Sequence, residues 1–324
     1  MSIKRIAVMT SGGDSPGMNA AIRAVVRTGM EYGFEVYGIR QAYTGLLAGD
    51  FNLLTSVEVS GILQRGGTIL QTARNEEFRT PAGQKKGIRR LNEHKIDALV
   101  VIGGNGSLTG ALRLHEQNIK VIGVPGSIDN DIFGTDMSIG VDTALNTILE
   151  SLDRLRDTAS SHQRAFVIET MGRNSGYLAL MSSILGGAEI VITPEREPTM
   201  EEVAKALEDA YVRGKSHAIA VIAEGASYKA TALTEYLTGN PNVGFEIRLT
   251  ILGHIQRGGK PSAFDRLLAT RMGVKAVELL RDGQSGLMVA LNGRKMDAIP
   301  LQDAISQLRP INEDYFNMAR FLSR

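Results

Sequence analysis

An α/β fold with mostly parallel sheets is what this sequence predicts, on three observations. Short, uniformly apolar runs recur along the chain, clearest at residues 6–9 and 98–102. Longer amphipathic stretches lie between them. Glycines gather where the runs end, after Val8-Met9-Thr10, after Val100-Val101-Ile102 and after Ile255-Gln256-Arg257. A strand that is apolar throughout must be covered on both faces, and the helical crossovers of a parallel sheet provide both covers.

In chain order, residues 6–9 read as a buried strand, followed by a glycine turn and a helix over 18–31. Residues 36–39, 98–102 and 121–124 read as further buried strands, with a helical segment over 108–117 between the last two. A second series follows Gly140: a helix over 143–157, strands at 166–168, 190–192 and 219–223, a run at 247–252, and a helix over 263–280. There is neither a long linker nor a close internal repeat, which allows two halves interleaved along the chain.

The 324 residues are enough for a substantial core and for two domains, and 43% are hydrophobic, which argues against disorder. A net charge of +1 argues against a general nucleic-acid binder. With no cysteine, disulfides, thiolate catalysis and cysteine-ligated zinc are excluded. The apolar run at the N-terminus is too short for a signal peptide, and none approaches the ~20 residues of a membrane span. The expectation is a soluble, cytoplasmic protein without nucleic-acid or membrane partners.

Three segments carry chemistry. Gly12 and Gly13, in Thr10-Ser11-Gly12-Gly13-Asp14-Ser15-Pro16-Gly17, sit between a strand and a helix, where exposed amides can bind phosphate. An ordinary βα turn fits that segment about as well. Gly103-Gly104-Asn105-Gly106-Ser107 again follows a strand, the place where open α/β sheets bind ligands. Pro125-Gly126-Ser127-Ile128-Asp129-Asn130-Asp131 follows a third strand. Phosphoryl transfer needs a carboxylate to take the attacking hydroxyl's proton and oxygens to hold Mg²⁺. Alone, Asp-Asn-Asp is more often a solvated turn; beside two glycine segments the chemical reading gains. Arg74, Arg164, Arg173, Arg248 and Arg257, with His254, are basic groups suited to a phosphate dianion, although each arginine taken singly reads as a surface or salt-bridge residue and His254 alone as structural.

These segments, with LRDTASSHQR, MGR and LGHIQRGG, stand in the order seen in bacterial 6-phosphofructokinases, and the chain resembles that family from residue 6 to about residue 280. The resemblance implies two doubly wound three-layer α/β/α domains with mostly parallel sheets. The larger, ATP-binding domain would take residues 1–140 and 256–305; the smaller, sugar-binding one would take 141–255 and 306–324. It implies Mg²⁺-assisted transfer of the ATP γ-phosphoryl group to the 1-hydroxyl of fructose 6-phosphate, a step of glycolysis, in a homotetramer whose active sites are shared between subunits.

By motif, Asp129 would be the general base, Asp131 would hydrogen-bond the sugar, and Ser127 would help bind the transferring group. Gly13, Tyr43, Arg74, Asn75, Gly104, Asn105, Gly106, Ser107 and Gly110 would line the nucleotide site, Arg74 also neutralising transition-state charge. Met171, Gly172, Arg173, Glu224, His254 and Arg257 would bind the sugar phosphate, with Arg164 and Arg248 reaching in from a neighbouring subunit. Arg23, Arg27, Arg156, Arg213, Lys215 and Glu189 match an effector site for ADP or phosphoenolpyruvate, Glu189 as its metal ligand.

The match has departures. Asn105 stands where the family usually has an aspartate associated with Mg²⁺, so an uncharged amide oxygen is the expected metal contact here. Ser127 replaces a threonine and keeps the hydroxyl. Gly61 and Ser56 stand where relatives often carry charge near the effector. Gly106 and Gly126 match relatives that use ATP; those that use pyrophosphate carry aspartate and lysine there. Two other readings stay open at this level: a weakly active regulatory paralogue that binds nucleotide or sugar phosphate, and a pyrophosphate-dependent enzyme.

Overall fold

The computed structural model describes residues 3–323. The strands are β1 (Arg5–Ser11), β2 (Glu35–Ile39), β3 (Phe51–Leu54), β4 (Ala98–Gly103), β5 (Lys120–Pro125), β6 (Arg164–Thr170), β7 (Ile190–Ile192), β8 (Ala218–Ala223), β9 (Glu246–Ile251), β10 (Leu287–Asn292) and β11 (Lys295–Pro300). The helices are α1 (Met18–Glu31), α2 (Ala42–Ala48), α3 (Pro81–Glu93), α4 (Asn105–His115), α5 (Val141–His162), α6 (Tyr177–Gly186), α7 (Met200–Val212), α8 (Ala230–Thr238), α9 (Ala263–Arg281), α10 (Leu301–Ala304) and α11 (Glu313–Leu322).

They group into two compact units. The first comprises residues up to Ile128, Ile132–Thr143 and Arg257–Arg309. Its sheet has seven strands in the order β11-β10-β5-β4-β1-β2-β3. The inner strands run parallel, and only the edge strands β3 and β11 pair antiparallel. Alternate residues of β1 enter two separate cores: Ile6 and Val8 pack with α1 and α9, Ala7 and Met9 with α2, α3 and α4. Two dry faces on one strand are why the run is apolar at every position.

The second unit comprises Asp129–Asp131, Ala144–Gln256 and the chain from Pro310. Its sheet is parallel throughout, in the order β7-β8-β6-β9. Ala165 and Val167 of β6 join a core with α7 and α8, while α6 packs on β6 and β8. The α/β class and the parallel sheets predicted from the apolar runs are present in both units.

Several elements depart from the sequence reading. The helix expected at 108 begins at Asn105, because Gly104, in extended backbone, offers its carbonyl to the amides of Ser107 and Leu108. The second glycine segment is therefore a helix start rather than a free loop. The edge strands β3 and β11 lack uniformly apolar runs because each is partly solvated. Helix α3 buries only Gly83, Gly87 and Leu91, two of them glycines, so its strongly polar sequence carries little apolar signal.

Candidate active site

In the first unit the strand register assembles the three chemical segments. Ser11 pairs with Gly103, and Gly103 with Pro125, so β1, β4 and β5 end level. The segments starting at Gly12, Gly104 and Gly126 consequently leave the same carboxyl edge of the sheet, side by side. Helices α1 and α4 start there on glycine N-caps, Gly17 and Gly104, with no side chain capping either. Helix α3 instead uses Thr80, and α9 uses Ser262. First-turn amides not spent on a side chain, together with the helix dipole, make a site suited to phosphate.

The packing around this edge is close. A Cβ on Gly12 would lie 3.1 Å from the Ser107 hydroxyl, and one on Gly104 would lie 3.7 Å from Ser127 Cβ. A Cβ on Gly106, by contrast, would meet nothing within 4 Å. Thr72 braces the first segment by donating to the Gly12 carbonyl at 2.6 Å. Tyr43 is buried, stacks on Phe78 with centroids 4.0 Å apart, and donates to the Ser107 carbonyl at 2.7 Å. Burial pushes its phenol far above the ordinary value, so it stays a donor. It holds the first turn of α4 from within the core. Gly110 allows this, since a Cβ there would lie 2.5 Å from the Tyr43 hydroxyl. Asn75 bonds Thr44 and caps the amide of Phe78, and the adjoining Arg74 is exposed. Arg257 belongs to this unit, where it donates to the Asp14 carbonyl at 3.2 Å and lies over Gly13. Arg23 and Arg27 lie on α1.

In the second unit the ends of β6, β8 and β9 form another carboxyl edge. Thr170 pairs with Ala223, and Glu169 with Ile251, which sets Met171-Gly172-Arg173, Glu224 and the segment with His254 side by side. One Glu224 carboxylate oxygen accepts the amides of Gly172 at 3.2 Å and Arg173 at 2.9 Å. That carboxylate sets the turn, which needs Gly172 at φ 143 and places Arg173 itself at φ 51. A Cβ on Gly225 would run into the Arg173 carbonyl. The held Arg173 sets its Nε 3.6 Å from Asp129 Oδ2. Asp129 is buried, Asp131 half-buried, and Asn130 between them has φ 50, a left-handed step that turns the chain at the acidic pair. Burial, and then the neighbouring Glu224 charge, raise the Glu169 carboxyl above its usual range, with Lys229 and the Ala230 amide opposing.

Other residues fall elsewhere. Arg164 opens β6, so about 20 Å of extended strand separates it from Thr170. It donates to Glu246 at 2.7 Å, and Arg248 bonds the other oxygen of that carboxylate. Within one chain this pair does not join Arg173. A third group forms around the end of α6: Arg156 donates to the Gly186 carbonyl, and Lys215 pairs with the buried Glu189 at 3.0 Å. Arg213, two residues before Lys215, is exposed at the end of α7.

Several contributors escaped the sequence reading. Buried Gln256 accepts the Met171 amide at 3.2 Å, and Lys229 bonds the Glu224 carbonyl at 3.1 Å. Their signals were weak: Gln256 lay inside a motif already noted, and a lone lysine carries none. Among the described residues no group of three or more His, Asp or Glu could hold a metal ion. No helix among them is long and apolar enough to cross a membrane.

Comparison with known proteins accounts for this layout. The family model described as Phosphofructokinase matches residues 5–280. The ATP-dependent 6-phosphofructokinase of Thermotoga neapolitana is 51% identical over 324 residues, 99% of this chain and 100% of that protein. The enzyme of the same name from Halalkalibacterium halodurans is 50% identical over 321 residues, again 99% and 100%. Among solved structures, Pichia pastoris phosphofructokinase in the T-state superposes with a TM-score of 0.90 at 39% identity, over 94% of this chain and 36% of that one. A pyrophosphate-dependent phosphofructokinase from Marinobacter aquaeolei, 22% identical, shares the fold with a TM-score of 0.85, over 99% of this chain and 91% of that one. Two parallel sheets with glycine-capped helix starts at one carboxyl edge and an arginine held beside a buried carboxylate at another, joined to likeness over nearly every residue, have one explanation: the chain belongs to the phosphofructokinase family.

Proposed function

We propose that the chain is an ATP-dependent 6-phosphofructokinase, converting fructose 6-phosphate and ATP to fructose 1,6-bisphosphate and ADP. The observation that carries this reading is the level ending of β1, β4 and β5, which puts three phosphate-suited segments together and leads directly into Asp129. Full-length identity of about half to curated ATP-dependent enzymes supports it.

The chain's own groups have separable roles. The amides at the starts of α1 and α4, near Gly13 and over Gly104–Ser107, bind the nucleotide phosphates. Asp129 takes the proton from the sugar's 1-hydroxyl as that oxygen attacks the γ-phosphorus and ADP leaves. Ser127, two residues earlier, holds the transferring group. Arg74 and Arg173 offset the charge that grows on its oxygens. Asp131, Met171, Glu224 and His254 orient the sugar, and Arg257 takes part in phosphate binding. Mg²⁺ asks for only one or two protein oxygens beside phosphates and waters, so Asn105, half-buried at the first turn of α4, fits as its contact. When bound, the ion neutralises phosphate charge.

ATP rather than pyrophosphate is the donor in this reading. Gly106 opens onto free space, and Gly126 lies so close to Met18 and Ile102 that a Cβ would meet them at 3.3 and 3.4 Å. With glycine at both positions, neither residue brings the aspartate or lysine side chain of the pyrophosphate-using relatives beside the nucleotide phosphates. Arg164 and Arg248 complete a neighbouring subunit's sugar site in a homotetramer, and between subunits Arg23, Arg27, Arg156, Arg213 and Lys215 bind an anionic effector, ADP or phosphoenolpyruvate, with Glu189 holding its metal ion.

A coupled assay with ATP, Mg²⁺ and fructose 6-phosphate tests the whole. Turnover with ATP and none with pyrophosphate is expected. Turnover with pyrophosphate alone would overturn the donor assignment. Binding without turnover at high enzyme concentration would show a regulatory paralogue instead.

A further inference from the structure

Asp265 has no part in the roles above, yet its carboxyl is fully buried. It is the third residue of α9 and its own amide is capped by Ser262 at 3.1 Å. Its carboxylate serves a different helix. Oδ1 accepts the Gly140 amide at 2.9 Å, while Oδ2 accepts the Thr143 amide at 2.8 Å and the Thr143 hydroxyl at 2.6 Å. Thr143 answers by accepting the Ser262 amide at 3.0 Å. The first turns of α5 and α9 are thus tied to each other through one carboxylate and one hydroxyl.

What hangs on that tie is the edge where the phosphate segments emerge. The Ile139 amide donates to the Pro125 carbonyl at 3.0 Å, and Ile139 bridges Gly126 in parallel register, one residue before Ser127. Gly140 lies against the other segment: a Cβ on it would be 2.5 Å from Ser15 Cβ and 3.2 Å from Pro16. Gly17, the N-cap of α1, touches both parts, with a virtual Cβ 2.7 Å from Ile139 and 3.6 Å from Asp265 Cβ. There is no slack between the carboxylate and the two segments, and a close-packed interior transmits such a shift.

Resting on the ATP-dependent reading, we propose that Asp265 is a positioning residue for the nucleotide, setting the spacing of the Gly12–Gly17 and Gly126–Ser127 segments through residues 139–143. Burial raises its carboxyl above the ordinary range, the Asp142 charge adding to this and three donors opposing it, so a carboxyl group is kept here at some cost to stability. An apolar residue would fill the space more cheaply but could not gather the amides of Gly140 and Thr143.

The test is steady-state kinetics on full-length wild type, Asp265→Asn, Thr143→Val and Thr143→Ser, varying each substrate with the other saturating, beside thermal midpoints. Asp265→Asn keeps the volume but turns an amide donor toward the Thr143 amide. It is expected to raise the ATP KM about tenfold and leave the fructose 6-phosphate KM within about twofold, the scale of one lost charged hydrogen bond. Thr143→Val should move the same constant in the same direction by a smaller factor, and Thr143→Ser should restore it. If Asp265→Asn does not fold, the Thr143 pair decides alone. An unchanged ATP KM despite a lowered midpoint, or both KM values rising together, would overturn the positioning role. Should wild type itself show no turnover, the kinase reading fails separately, and calorimetric ATP binding to the same proteins still decides: equal affinities reject the role, a weaker Thr143→Val rescued by Thr143→Ser sustains it.

Discussion

Asp129→Ser separates rate from binding and stability in a way the geometry makes quantitative. Serine cannot take a proton from the sugar hydroxyl, so the general-base contribution of about 10²–10⁴ in rate is lost. At 1.36 kcal/mol per decade, that is about 3–5 kcal/mol of transition-state stabilisation. Binding should hardly change. Arg173 faces Asp129 at 3.6 Å, but its position is set by Glu224 through the Gly172 and Arg173 amides, and that clamp survives the substitution. Stability should also stay within about 1 kcal/mol: the Arg173 side chain is 55% exposed, so solvent screens the pair, and removing a buried carboxylate relieves desolvation. The assay is kcat and KM for fructose 6-phosphate, with urea unfolding on the same preparation. A kcat within tenfold of wild type, or a KM that rises in step with the fall in kcat, would refute the base assignment.

The remaining predictions concern the nucleotide edge, the metal and the Glu189 group. Gly110→Ala places a methyl 2.5 Å from the Tyr43 hydroxyl, so Tyr43 must leave the Ser107 carbonyl. Overpacking and the lost bond together cost about 2–4 kcal/mol, read as a lowered urea midpoint with a raised ATP KM. Asn105→Asp adds charge at the proposed Mg²⁺ contact and should lower half-saturating Mg²⁺ by about threefold or more, checked by titrating activity against Mg²⁺ at fixed ATP. His217 has its imidazole held below the ordinary value of 6.5, chiefly by burial, with Glu189 opposing and Arg156 and Lys215 reinforcing. The unfolded chain therefore takes up this proton first as pH falls. The stability of wild type relative to His217→Gln should be flat above about pH 7.5 and decline toward about pH 5, and a pH-independent difference in unfolding free energy would count against it.

The fold was legible where burial was uniform. β1, β4, β5, β6 and β8 have cores on both faces, and each announces itself as an apolar run. Partial exposure hid the rest. β11 alternates between half-buried and exposed residues, and β3 buries only Leu54. Helix α3 did carry a readable start, Thr80 as N-cap before Pro81, but its polar body outweighed that signal. The start of α4 was hidden for the opposite reason. Glycine, asparagine and serine in Gly104–Ser107 have turn propensity, and the extended backbone of Gly104 is what commits them to a helix.

The site was legible as residue types but not as relations. That Glu224 holds the Arg173 turn cannot be read across a separation of 51 positions; it follows from Thr170 pairing with Ala223, a register fact. The same register argument separates residues that the sequence grouped. Arg164 opens β6 and Met171 follows it, so a strand's length stands between two residues carried by one short stretch of chain. Arg164 and Arg248 share Glu246, whose carboxyl they hold below its usual range, so one acidic side chain keeps two cations together at the far end of β6 and at the exposed β9 edge. Surface pairs of this kind add little to stability. Their consequence is geometric: two guanidinium groups, one on β6 and one on the edge strand β9, are held near each other, where in the proposed tetramer a phosphate presented by a second copy of the chain displaces the carboxylate. A monomer offers those arginines no substrate from its own Arg173 turn, which is the physical content of placing them in a neighbour's site.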